Sequence, residues 1–91
     1  MKKIDVMIVD DHPVFRQGLK NVLAAQEDLC IIDEAADGET AIEKAEERSP
    51  DVVIMDINLP ELNGLQATRE LKERCPDIHV IMLTAYDDEE Q

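Results

Sequence analysis

Ile4-Asp5-Val6-Met7-Ile8-Val9-Asp10-Asp11 runs from a short, mostly aliphatic segment straight into a pair of acids. A continuous apolar run of this length, rich in β-branched residues, is the pattern of a parallel strand covered on both faces; a strand with one wet face alternates instead. Two further runs share the design, Val52-Val53-Ile54-Met55 and Ile78-His79-Val80-Ile81-Met82-Leu83. A fourth, Cys30-Ile31-Ile32-Asp33-Glu34-Ala35, carries charges and suits an edge strand.

Helical patterns separate these runs. The first opens at Pro13, a favoured first helical residue, and places Phe15, Leu19, Val22 and Leu23 at helical spacing. The second spans about Gly38 to Arg48, with Ala41, Ile42 and Ala45 inward and Glu39, Glu43, Glu46 and Glu47 outward. The third runs from about Gly64 to Arg74, with Leu65, Thr68 and Leu71 inward, and Pro50 and Pro76 follow the second and third helices as stops. The order β-α-β-α-β-α-β predicts an α/β layered sheet with right-handed crossovers. In such sheets ligands bind at the carboxyl ends of the strands, near the point where strand order reverses.

Composition narrows the function. The chain has 91 residues, 44% apolar and 34% charged, which fits one small globular domain over residues 1–91. With 9 Lys and Arg against 22 Asp and Glu, the formal charge of -13 repels phosphate backbones and anionic membranes, so direct nucleic-acid binding is not expected. The apolar runs are too short to span a bilayer and Met1-Lys2-Lys3 leads into no signal-peptide pattern, so the expected location is the cytoplasm. Cys30 and Cys75 have no metal-ligand spacing and read as reduced packing residues.

Chemistry gathers at the expected strand ends. The first run delivers Asp10 and Asp11, the second Asp56 and the last Thr84. Three adjacent carboxylates repel one another, so a proton or a cation must offset them. Carboxylates with water and a backbone carbonyl suit Mg2+, which takes only one or two carboxylates and keeps several waters. His12, beside the acids, could serve as a metal ligand or proton carrier but reads rather as a rim residue that packs or hydrogen-bonds locally; Met7, Met55 and Met82 read as core filler, and Glu61 as a solvated loop acid or one that tunes access to the pocket. Asp87-Asp88-Glu89-Glu90 reads as the start of a helix.

Four stretches carry a family resemblance: Ile8-Val9-Asp10-Asp11-His12-Pro13, Arg16-Gln17-Gly18-Leu19, Asp51-Val52-Val53-Ile54-Met55-Asp56-Ile57-Asn58-Leu59-Pro60 and Asn63-Gly64-Leu65-Gln66-Ala67-Thr68-Arg69. Together they resemble the receiver domains of bacterial response regulators, in the subgroup usually followed by a helix-turn-helix DNA-binding domain. The resemblance implies a flavodoxin-like doubly wound parallel sheet in strand order 2-1-3-4-5. It implies Asp56 as phosphoacceptor, Asp11 and Asp56 as Mg2+ ligands with the backbone carbonyl of Asn58, Asp10 as a further ligand acting directly or through water, and Thr84 as the switch hydroxyl. It also implies a sensor histidine kinase as partner, and control of transcription through an output domain that this segment does not contain.

Receivers of this family continue through a fifth strand ending in a lysine and then a fifth helix. With Gln91 as the last residue, the resemblance implies that roughly 25 to 30 residues of the domain are missing, leaving the order 2-1-3-4. None of Lys2, Lys3, Lys20, Lys44 and Lys72 can stand for that lysine, so slow or undetectable phosphorylation is expected. An open edge at Ile78–Leu83 predicts self-association or marginal folding. Two other functions compete with a non-enzymatic receiver. A Mg2+-dependent aspartyl-phosphate phosphohydrolase would carry a second aspartate where this chain has Asn58, and a docking module would work without phosphorylation.

Overall fold

The computed structural model describes residues 3–57, 59 and 63–83. Its elements follow the expected order: β1 (Ile4–Val9), α1 (Pro13–Ala24), β2 (Leu29–Ala35), α2 (Gly38–Arg48), β3 (Val52–Asp56), α3 (Gly64–Arg74) and β4 (His79–Leu83). All pairings are parallel and the sheet order is β2-β1-β3-β4, that of a flavodoxin-like doubly wound sheet. Strand order reverses at β1, which has β2 on one side and β3 on the other, so the carboxyl ends of β1 and β3 flank the switch point. Val9 pairs with Met55, which sets Asp10 and Asp56 level with each other one step further on.

The helix boundaries have local causes. Pro13 opens α1, where its missing N–H costs nothing. Asp37 caps α2 by accepting from the Thr40 N–H at 2.8 Å, and Asn63 caps α3 by accepting from the Gln66 N–H at 2.9 Å. The backbone N–H and hydroxyl of Thr40 also hold the Asp37 carboxyl below its usual range. At the far end of α2, Ser49 adopts a left-handed conformation at φ 48° and Pro50 follows it.

Met7, Val9, Val53 and Met55 of the central strands pack with Ala41, Ala45, Ala67 and Leu71 of α2 and α3. Val6 and Ile8, on the opposite face of β1 by strand alternation, are equally buried, as expected of a strand covered on both sides. Of the expected methionine filler, Met7 and Met55 are in the core and Met82 packs partly against it. Cys30 and Cys75 are free thiols, each half-buried, and burial pushes the Cys75 thiol up.

One inward assignment needs correction. Leu65 is exposed, and α3 instead turns Gly64, Ala67 and Leu71 inward. Those three lie at i, i+3 and i+7, one continuous row, whereas Leu65 stands about 100° round the helix from Gly64. Thr68 lies at the margin, its hydroxyl 3.1 Å from the Met82 sulfur. In α1, Phe15 and Val22 are exposed despite their spacing: among the described residues the helix packs chiefly against β2 and β1, and none of its side chains is fully buried. Among the described residues no helix is long and apolar enough to cross a membrane.

Candidate functional site

Each acid of the site is placed by a strand that ends beneath it. The Asp10 N–H continues the sheet by donating to Ala35 O at 3.0 Å, and Asp56 is the last residue of β3. Just beyond, the Ile57 N–H donates to Leu83 O at 3.1 Å and the Gly64 N–H donates to Ile57 O at 3.0 Å, tying the exit of β3 to β4 and to the start of α3. A β-carbon on Gly64 would overlap the carbonyl oxygen of Asp56, so only glycine lets α3 begin this close to the site.

One ligand atom from each of Asp10, Asp11, His12 and Asp56 falls in a group no more than 4.8 Å across. Asp10 and Asp56 form the floor, each 2% exposed. Asp11 and His12 form the rim, with side chains 31% and 62% exposed. Asp10 Oδ1 accepts from the His12 N–H at 2.7 Å and lies 3.2 Å from His12 Nδ1. The same ring nitrogen is 3.0 Å from Asp11 Oδ1 and 4.0 Å from Asp56 Oδ2. His12 thus bonds locally at the rim, as expected. Its approach to Asp11 lacks hydrogen-bonding geometry, and Asp11 Oδ1 is buried without a hydrogen bond.

Three carboxylates face a single imidazole, so even a protonated ring would leave the pocket negative. The donor set is hard oxygen with one nitrogen at the rim, and a buried carboxylate oxygen without a hydrogen bond is a suitable ligand atom. The residues therefore fit a small divalent cation such as Mg2+.

The family model for the response regulator receiver domain matches residues 6–91. The chain belongs to that family. This receiver is 46% identical over 87 residues to the transcriptional regulatory protein DegU of Brevibacillus brevis, a match covering 96% of this chain and 37% of that protein. The response regulator domain of Thermotoga maritima CheB superposes with a TM-score of 0.88 at 37% identity, covering 98% of this chain and 66% of that one. A LuxR-family two-component response regulator from Aurantimonas superposes at 0.89 with 30% identity, covering 94% of this chain and 61% of that one. The receiver spans about two-fifths of the length of the curated relatives it matches.

Of the residues singled out from the sequence, the receiver fold brings Asp10, Asp11 and Asp56 together, with His12 beside them. Asn58, Glu61, Thr84 and the acidic run Asp87–Glu90 lie outside the described residues. Gly64 and Arg16 carry structural roles at the site that sequence reasoning did not assign. Each stood inside a quoted family stretch, but neither role leaves a periodic or compositional signal. A glycine at a helix start looks like any cap, and an arginine in a first turn looks like a solvated charge.

Proposed function

We propose that this chain is the phosphoacceptor receiver of a two-component response regulator, modified on Asp56 with the help of Mg2+. The observation that carries the reading is a buried Asp56 carboxylate at a strand end, in one cluster with Asp10, Asp11 and His12. Asp10, Asp11 and Asp56 would hold the ion, with the Asn58 carbonyl as the family pattern implies. When bound, Mg2+ neutralises the pocket and lets an anionic phosphoryl donor approach an anionic carboxylate.

Asp56 supplies the nucleophile: one carboxylate oxygen forms a bond to phosphorus while the bond from phosphorus to the donor's leaving group breaks. That donor is a phosphohistidine of a sensor kinase or a small acyl phosphate. Burial of Asp56 keeps bulk water from the acyl phosphate so formed. Thr84 would then turn its hydroxyl to a phosphoryl oxygen. The name of DegU as a transcriptional regulator supports control of transcription. With a charge of -13, this segment would act through a separate DNA-binding output domain.

Incubation with a small acyl phosphate and Mg2+, followed by intact-mass measurement, tests the reading. The expected product carries one phosphoryl group, absent from Asp56→Ala. Turnover without an adduct would assign a phosphohydrolase, and neither product would assign a phosphorylation-independent docking module.

A further inference from the structure

The Asp10 carbonyl stands where the sheet runs out. The Asp10 N–H still pairs with Ala35 O, but Ala35 is the last residue of β2. The carbonyl is met instead by a side chain: Arg16 Nη1 donates to Asp10 O at 2.5 Å. Arg16 sits in the first turn of α1, where its backbone N–H donates to His12 O at 2.9 Å. One residue therefore holds the peptide carbonyls on both sides of Asp11. Its guanidinium is fixed in turn by Glu34 of β2, which accepts from Arg16 Nε at 2.7 Å and from Lys20 Nζ at 2.7 Å.

We propose that Arg16 is a positioning residue for Asp11, clamping the Asp10–His12 backbone against the repulsion of the clustered carboxylates, with Glu34 as its anchor. The proposal rests on reading the pocket as a metal site. Asp11 needs such help more than its neighbours do. Asp10 is buried and accepts from the His12 N–H, whereas Asp11 is on the rim and its Oδ1 has no hydrogen bond, so its aim depends on the backbone that carries it. Only a forked, planar guanidinium can reach Glu34 through Nε and the Asp10 carbonyl through Nη1 at once; a single ammonium cannot span both.

Groups that orient metal ligands without touching the metal are typically worth about 10- to 100-fold in affinity. Titration of the 91-residue chain with Mn2+ by calorimetry should show Arg16→Ala and Arg16→Lys each binding about 10- to 100-fold more weakly than the parent. Glu34→Gln should fall between them and the parent. Lys20→Ala, which removes the other ion pair to Glu34 and leaves the clamp intact, should stay close to the parent. Without metal, hydrogen exchange of the His12 amide, which donates to Asp10, should quicken in Arg16→Lys and not in Lys20→Ala. Arg16→Lys keeps the charge and most of the bulk, so it carries the test if Arg16→Ala does not fold. Parental affinity in Arg16→Lys, or an equal loss in Lys20→Ala, overturns the proposal. If the parent itself takes no Mn2+, the metal reading fails, and unchanged His12 exchange in Arg16→Lys overturns the clamp separately.

Discussion

Gly64 rests directly on the backbone of Asp56: a β-carbon there would overlap the Asp56 carbonyl oxygen and come within 2.8 Å of Ile57 Cα. Both obstacles are main chain, so no side chain can swing aside. Gly64→Ala should cost about 1–3 kcal/mol, the usual range for overpacking. At about 4–8 °C per kcal/mol for a domain of this size, the melting temperature should fall by several degrees or more. Gly18, with nothing within 4 Å of its would-be β-carbon, makes the contrast. Gly18→Ala, in the middle of α1, should stabilise by about 0.5–1 kcal/mol. Urea denaturation of both variants checks the pair, and a Gly64→Ala protein as stable as its parent would show that the β3–α3 junction yields freely.

The acidic pocket should make stability depend on divalent cations. Mg2+ or Mn2+ should raise the melting temperature of the parent, because a ligand that binds only the folded state stabilises it by mass action. Asp11→Ala should lose most of that gain and most of the binding heat. Asp56→Asn removes one of three clustered carboxylates, so without metal it should melt higher than the parent and respond little to added Mg2+. Thermal melts with and without the ion decide this, and an Asp56→Asn protein that melts lower in both conditions would contradict it.

Acid should weaken the fold partly through β2. The Glu34 carboxyl is held below the usual range, chiefly by the hydrogen bond from Lys20, with Arg16 adding to it against partial burial. Partial burial pulls the Asp33 carboxyl up, but the Glu34 N–H and Lys44 outweigh it and leave Asp33 lowered as well. A depressed folded value means stability that is present above the unfolded value, about 4.3 for Glu, and lost as pH falls through the folded one. Glu34→Gln should therefore be less stable than the parent at pH 7, with the gap closing as pH drops below about 4. Urea midpoints across that range measure it; a gap that stays constant would assign Glu34 a packing role instead.

The two sheet edges differ in a way that predicts association. On β2 the edge is blunted. Lys44 Nζ donates to Glu34 O at 2.7 Å, Arg48 Nη2 donates to Ile32 O at 2.9 Å, and the Glu34 N–H donates to Asp33 Oδ1 at 2.8 Å. A register shift opposite Val6 and Met7 disrupts the same strand. On β4, the bonds from the His79 N–H to Asp51 O and from the Ile57 N–H to Leu83 O turn the odd residues toward β3. Val80 and Met82 thus direct their backbone groups outward, and among the described residues no strand covers them.

Association should therefore proceed through β4, and sedimentation should show it rising with concentration. Val80→Pro, which deletes an outward N–H at a position an edge strand tolerates, should reduce it. The same substitution on the β2 side, Ile31→Pro, should not. A chain that stays monomeric at high concentration, with a sharp and high melting transition, would show that β4 needs no partner.

The strands were legible because burial on both faces demands continuous aliphatic runs, and Ile4–Val9 and Val52–Met55 are runs of that length and kind. The acids were legible for a related reason: Asp10, Asp11 and Asp56 break those runs at the end where an α/β sheet binds ligands. Helix faces were read less well. Spacing marks Leu65 and Phe15 as apolar, but whether a residue is covered depends on which neighbour arrives, and both remain exposed.

Local pattern by itself determined the element order, the parallel sheet and the three acids at its mouth, because each follows from the burial periodicity of a segment a few residues long. Tertiary structure alone decided what supports those acids. Arg16 reaches a carbonyl six residues back in the chain and a carboxylate eighteen residues ahead, and Gly64 meets the backbone of Asp56, eight residues before it. Such contacts are made by the closure of the fold, when strand ends and helix starts converge on one point, and no periodicity along the chain records them.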